Sequence, residues 1–306
     1  MQLEIRGLNK SYGQKQVLFD VSFTASSRNT LGLLGRNGHG KSTTMKIIMG
    51  IIYEDSGEIL LDGSPLSHNS VKLGYLPEER GLYQKVKILD QMVYFGTLRG
   101  MTGSQAKKAA TDLLERLEMT EYIKKNALTL SKGNQQKIQL AIALMSDPEI
   151  IILDEPFSGL DPVNSRIMQE IIEEASRKSK LIIFSSHQMP QVEEFCQDIC
   201  IIKEGRVMLT GNLKDIKESY PKDRLAVVPE AGREAGLMSI ITGHLSGYIT
   251  SYTENNGTII LKLASESAKN QIIQLLAKEG AEINAISIVQ PTLLEIFLEK
   301  VGDDNV

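Results

Sequence analysis

The stretch Gly35-Arg36-Asn37-Gly38-His39-Gly40-Lys41-Ser42-Thr43 satisfies the eight-position pattern G-x-x-x-x-G-K-[ST] from Gly35 to Ser42, directly after the apolar run Leu31-Gly32-Leu33-Leu34. Their chemistry is that of a phosphate cradle. The glycines let backbone N–H groups turn toward an anion without interference from Cβ, Lys41 reaches β- and γ-phosphates, and Ser42 carries a hydroxyl suited to Mg²⁺. A second constellation lies far along the chain, where Ile150-Ile151-Ile152-Leu153 delivers the adjacent carboxylates Asp154 and Glu155. Asp154 is placed to hold Mg²⁺ through water and Glu155 to polarise a water attacking a γ-phosphate. A Gly-rich turn or an acidic strand end is commonplace alone; the two together favour the chemical reading.

These residues need particular elements to hold them. No helix breaker occurs from Thr43 to Met49, so a helix is expected there with its positive end at the phosphates. Glu149 to Leu153, Leu181 to Ser185 and Ile199 to Lys203 are short, almost continuously apolar runs, separated by helical patterns at Val163 to Arg177 and Pro190 to Phe195. Such strands alternating with helices indicate a parallel sheet covered on both faces, with ligands at the strands' C-terminal ends. Leu3-Glu4-Ile5-Arg6, Val21-Ser22-Phe23-Thr24 and Glu58 to Gly63 alternate instead and predict a small antiparallel layer, while residues 88–145 read as an inserted helical block. The expected division is residues 1–220 and 221–306, parted near Ser219-Tyr220-Pro221-Lys222-Asp223. The second part reads βαββαβ, a ferredoxin-like order, with Asn256-Gly257 marking a hairpin.

Composition narrows the function. The 306 residues carry 34 Lys+Arg against 38 Asp+Glu, a net charge of −4, so direct nucleic-acid binding is not expected. Cys196 and Cys200, the two cysteines, support neither a disulfide framework nor a zinc site and read as buried thiols of a reducing compartment. Met1 to Ile5 opens into strand pattern without a basic and then apolar leader, and the apolar runs stop far short of the roughly 20 residues of a spanning helix. Secretion is not expected, and any membrane role is peripheral.

With both constellations in place, the first ~215 residues resemble the ATP-binding-cassette ATPases in motif content and element order. Leu130-Ser131-Lys132-Gly133-Asn134-Gln135-Gln136 stands where that family has its signature. The resemblance implies that Ser131 and the Gly133 N–H contact the γ-phosphate of ATP held by an opposing subunit. His187 matches the switch histidine that orients the catalytic water, and Tyr12 matches the aromatic that stacks on adenine. Ser158-Gly159-Leu160-Asp161 resembles the loop that runs between the two sites, and Asp161 with Pro162 is also a good helix start. The implied cofactors are ATP and Mg²⁺. The implied partners are integral membrane permease subunits and a second ATPase subunit, identical or related, joined by ATP at the cytoplasmic face of a bacterial membrane.

Four positions depart from the commonest family pattern. Lys132 replaces a glycine, and either brings a charge to the cradle or projects into solvent; Asn134 replaces a glutamine. His39 occupies a position that is usually small and is expected to face solvent. Glu78, in Leu76-Pro77-Glu78-Glu79-Arg80-Gly81-Leu82-Tyr83, replaces a glutamine. Its carboxylate can reach Mg²⁺ through water but repels the γ-phosphate unless the metal or a cation such as Arg80 screens it. That run resembles a bacterial sodium- and drug-efflux subgroup whose members tend to carry a small C-terminal domain. The expected function is thus ATP hydrolysis driving a transporter, an exporter, with the helical block as docking face. The alternative is a soluble cassette ATPase acting on ribosomes or chromosomes, disfavoured by a single cassette without sustained heptads. A P-loop kinase or GTPase fits neither the signature run nor the absence of Asn-Lys-x-Asp. The C-terminal part has no catalytic constellation; His244 reads as a loop or packing residue, and a regulatory, dimer-stabilising or spacer role stays open.

Overall fold

The structure, a computed structural model, describes residues 1–79, 81–255 and 257–302. It divides into two compact units: Met1–Leu213 with the chain from Phe297 onward, and Lys214–Ile296.

In the first unit, β1 (Gln2–Tyr12) and β2 (Lys15–Ser26) form a hairpin. Leu3 and Ile5 of β1 and Val21, Phe23 and Ala25 of β2 are buried at every second residue, one face of an alternating pattern, and Leu8 and Leu18 are buried beyond irregularities in the register. β3 (Leu31–Leu34) leads to α1 (Lys41–Ile48), and β4 (Ser56–Leu61) and β5 (Ser64–Pro65) complete an antiparallel layer of order β2-β1-β4-β5. β6 (Leu73–Leu76) precedes the helical block of α2 (Ile88–Leu98), α3 (Gly103–Arg116) and α4 (Lys132–Leu144). α2 and α3 are separate helices: Thr102 caps α3 through a reciprocal bond pair with Gln105. There follow β7 (Ile150–Asp154), α5 (Pro162–Arg177), β8 (Leu181–Ser185), α6 (Met189–Phe195), β9 (Asp198–Lys203) and β10 (Arg206–Asn212).

The second sheet has the order β10-β9-β3-β8-β7-β6. Its strands run parallel except β10, which returns antiparallel to β9. Every residue of β3, β7 and β8 is buried, as continuous apolar runs require. One core joins the two sheets, bringing Leu3, Ile5 and Phe23 together with Met45 and Ile48 of α1 and Ile150, Ile152 and Ile183 of the parallel strands. The expected antiparallel layer, parallel core and helical insert are therefore present. β6 and β10 are the two edges of this sheet and alternate in exposure, so neither is buried along its whole length; neither stood out in the sequence as a strand.

The chain stays tied to the first unit as far as Leu213, whose N–H donates to the Gln197 carbonyl at 2.8 Å. The second unit thus begins within α7 (Leu213–Glu218), and the polar stretch 219–223 lies inside it. It continues with β11 (Arg224–Pro229), α8 (Glu234–His244), β12 (Ile249–Asn255), β13 (Thr258–Leu263), α9 (Ala268–Lys278), β14 (Ile283–Ile288) and α10 (Leu293–Val301). The antiparallel order β12-β13-β11-β14 is the ferredoxin-like arrangement expected from βαββαβ. Leu225, Val227, Ile259 and Leu261 pack with Leu237, Ile241, Ile272 and Leu276 in its own core. Gly257 takes φ 75 in the hairpin; Asn256 lies outside the described residues. α10 ends in the first unit, where Lys203 Nζ donates to the Val301 carbonyl.

Candidate functional site

The glycine-rich loop joins β3 to α1 at the C-terminal edge of the parallel sheet. A Cβ at Gly35 would stand 2.4 Å from the Ile202 carbonyl oxygen, so only glycine lets the loop leave β3 so close to β9. Gly40 precedes α1 at φ 104, a left-handed value that glycine adopts without strain. Lys41 follows, 5% exposed, with Nζ donating to the Gly35 carbonyl at 2.6 Å and the Arg36 carbonyl at 3.2 Å. Burial holds its pKa down, opposed by the charges of Glu155, Asp154 and Glu78. Those three carboxylates belong to one cleft of about 460 Å³, shared with Asn37, Gly38, Gly40, Lys41, Ser42, Thr43, Lys15 and Val17. The loop and the acidic pair, more than a hundred residues apart in sequence, are brought together.

β7 ends in Asp154, and its parallel pairing sets that residue opposite Ser185 of β8. Ser185 Oγ donates to Asp154 Oδ1 at 2.6 Å and accepts from the Glu155 N–H at 3.1 Å. Glu155 turns the chain out of the strand at φ 50, a costly conformation for a residue with Cβ. Its carboxylate is buried, with Oε2 2.9 Å from His187 Nδ1 and Oε1 shielded from solvent and unpartnered among the described residues. A carboxylate only accepts, so His187 Nδ1 carries the shared proton. Burial pushes the Glu155 carboxyl up, and His187 and then Lys41 pull it down. From α4, the Gln136 amide donates to the Glu155 carbonyl at 3.4 Å, and the Gln139 amide to the Glu79 carbonyl at 3.2 Å.

The other expected site residues lie outside this cleft or at its edge. Ser131 caps α4, its Oγ accepting from the Asn134 N–H at 3.2 Å, and Gly133 sits against Leu160. Neither lines the cleft of Lys41. Lys132 is exposed at the start of α4, so of its two readings the structure gives the solvent-facing one. Asp161 caps α5, its Oδ1 accepting from the Asn164 N–H at 3.0 Å, with Pro162 in the first turn. Tyr12, half exposed, ends β1 opposite Lys15, which does line the cleft. Glu78 is exposed at the cleft's edge; Arg80, its expected screen, lies outside the described residues.

Two expectations change. His39 does not project into solvent: it is partly buried, with Nδ1 shielded and without a partner among the described residues, and its ring meets the Ile202 backbone. The reason is the same close approach of loop and β9 that excludes a Cβ at Gly35. His244 is no loop residue but the last of α8, with Nε2 3.9 Å from Glu279 Oε2. Cys196 and Cys200 are free and buried as expected, and burial pushes the Cys200 thiol up to about 12. Sequence reasoning passed over Ser185, Gln136, Lys15 and Val17. Only for Ser185 did a signal exist, as a polar residue closing an otherwise apolar strand.

Comparison with known proteins identifies the family. A family model described as ABC transporter matches residues 18–158, and one described as ATP-binding protein DrrA1-3-like, C-terminal domain, matches residues 211–301. The uncharacterized ABC transporter ATP-binding protein YhaQ of Bacillus subtilis (strain 168) is 38% identical over 98% of this chain and 98% of its own length. The linearmycin resistance ATP-binding protein LnrL of the same organism is 30% identical, again over 98% of both chains. A solved ATP-binding subunit of an ABC transporter superposes with a TM-score of 0.65 at 29% identity, covering 71% of this chain and 92% of that one. The chain belongs to the ABC transporter family as one of its ATP-binding, ATP-hydrolysing subunits.

Proposed function

We propose that this subunit hydrolyses ATP with Mg²⁺ in the cleft of Lys41 and, paired with a second ATPase subunit, drives an exporter built by separate membrane polypeptides. The observation that carries the chemistry is the buried Glu155 carboxylate, bonded to His187 at 2.9 Å in a cleft shared with Lys41 and Asp154. Lys41 binds the β- and γ-phosphates of ATP, helped by backbone N–H groups at the start of α1. Glu155 accepts a proton from the attacking water as the γ-phosphoryl group transfers to it, giving ADP and phosphate. Its raised pKa makes it a better base than an ordinary carboxylate. His187, donating from Nδ1, holds the carboxylate in place.

The donors fit Mg²⁺. Ser42 and Asp154 offer hard oxygens in one cleft, with Glu78 within it. No cluster of three acidic, His or Cys groups able to cage a metal occurs among the described residues, which suits an ion that keeps waters and shares substrate phosphates. When bound, Mg²⁺ neutralises charge developing on the phosphate oxygens. Ser131 and Gly133, at the N-terminus of α4 and outside this cleft, are free to serve ATP on a second subunit, identical or related.

Among the described residues no helix is long and apolar enough to cross a membrane; the permease is read as separate chains from the transporter names of the relatives. Its docking face is the helical block. There Tyr83 stacks on Phe95 at 5.9 Å and Tyr94 meets both rings, with Leu98 and Leu128 exposed. The resistance function named for LnrL supports efflux. The test is recovery of the tagged chain from detergent-solubilised membranes of its own host. Integral membrane polypeptides should accompany it, with Mg²⁺-dependent ATPase activity that Lys41→Ala abolishes. Recovery with ribosomes and no membrane polypeptide would overturn the transport reading.

A further inference from the structure

We infer that Ser185 is a positioning residue that sets Asp154 and Glu155 as a single unit. This rests on the roles given to those two acids above. Ser185 is fully buried and ends a strand whose other residues, Leu181 to Phe184, are apolar. A hydroxyl in that place is costly unless it is used. It is used twice, and the direction of each bond is forced. The Glu155 N–H can only donate, so Oγ accepts from it at 3.1 Å; the Asp154 carboxylate can only accept, so Oγ donates to Oδ1 at 2.6 Å. The Ser185 carbonyl accepts the same Glu155 N–H at 3.2 Å.

Two consequences follow from one side chain. Asp154 is 2% exposed, and engagement of Oδ1 fixes the carboxylate's rotation and reserves Oδ2 for an outside partner such as a metal-bound water. Glu155 is pinned at φ 50 by a shared bond at its N–H and by Gln136 at its carbonyl. Without the hydroxyl, Oδ1 is left buried and unpaired and the Glu155 N–H keeps only its bond to the Ser185 carbonyl, which loosens the turn that holds the carboxylate at His187. A merely structural serine would lower stability alone; a positioning serine also alters Mg²⁺ dependence, and does so through Asp154.

The experiment compares Ser185→Ala, Ser185→Cys, Asp154→Asn, Glu155→Gln and the Ser185→Ala/Asp154→Asn double variant in the full chain. The readouts are the Mg²⁺ concentration for half-maximal binding of a fluorescent ATP analogue, and kcat. Ser185→Ala should raise the Mg²⁺ requirement by about 10–100-fold, the range for loss of a group that orients a metal-binding residue, and lower kcat. The double variant should need no more Mg²⁺ than Asp154→Asn alone, and Ser185→Cys, nearly the same size with a weaker donor, should fall between. Should Ser185→Ala fail to fold, Ser185→Cys carries the comparison. A wild-type Mg²⁺ requirement and kcat in the Ser185 variants, or effects that multiply fully with Asp154→Asn, would overturn the inference while the site stands. Wild-type behaviour of Asp154→Asn and Glu155→Gln would instead overturn the site assignment, and this role with it.

Discussion

Replacing Glu155 by glutamine keeps the side chain's size, the bonds from Ser185 and Gln136 to its backbone, and an oxygen that can accept from His187. It removes the base and one buried charge. A positioned base is worth about 10²–10⁴ in rate, which at 1.36 kcal/mol per decade is about 3–5 kcal/mol of barrier. Phosphate release should therefore fall by that factor while ATP binding persists and an ATP-bound dimer accumulates. Stability should move the other way. Burial raises the folded pKa of Glu155 above its ordinary 4.5, so the folded state binds more protons than the unfolded chain between the two values. Stability then falls as pH rises through that window, and the cost is complete above the folded value. Glu155→Gln escapes it: the variant should melt higher than wild type at pH 7, and the gap should close below the ordinary carboxylate range. The assays are steady-state phosphate release, nucleotide binding, size-exclusion chromatography with ATP, and melting across pH. Wild-type turnover in the variant would remove Glu155 from the chemistry, and a lower melting temperature at pH 7 would refute the burial argument.

His187→Ala deletes an interaction that lowers the Glu155 pKa. Turnover should drop and the acid limb of its pH profile should move to higher pH, so an unmoved limb would show that His187 acts elsewhere. Gly35→Ala places a Cβ 2.4 Å from the Ile202 carbonyl, and relief of such a backbone clash costs about 1–3 kcal/mol. The variant should melt lower and bind ATP more weakly; an unchanged affinity would mean the loop tolerates displacement.

The second unit is the clearest case of a fold legible in local pattern. The order βαββαβ read from the sequence is the order found from β11 to β14. Register there is set by which residues must be buried: a one-residue slip would expose Ile259 and Leu261. The parallel strands were legible for a different reason. Burial on both faces leaves uninterrupted apolar runs, whereas the edge strands β6 and β10, partly exposed, leave no such trace.

Taken alone, the sequence determined the phosphate-binding loop and the acidic pair, because their chemistry is carried by residue types at contiguous positions. It also determined that helices and parallel strands alternate behind them, because burial writes its period along the chain. Which residues then become neighbours was decided by the tertiary structure. The order β10-β9-β3-β8-β7-β6 sets β8 beside β7, and so places Ser185 on Asp154 and His187 on Glu155. Packing of the loop against β9 turned His39 toward Ile202 instead of solvent. Local periodicity says how deeply a strand is buried, but not which strand lies next to it, since that choice depends on crossovers spanning dozens of residues. The acids were readable one by one and His187 by resemblance; that its imidazole meets Glu155, and that the Ser185 hydroxyl meets both acids, became visible only when the sheet brought them within hydrogen-bonding distance.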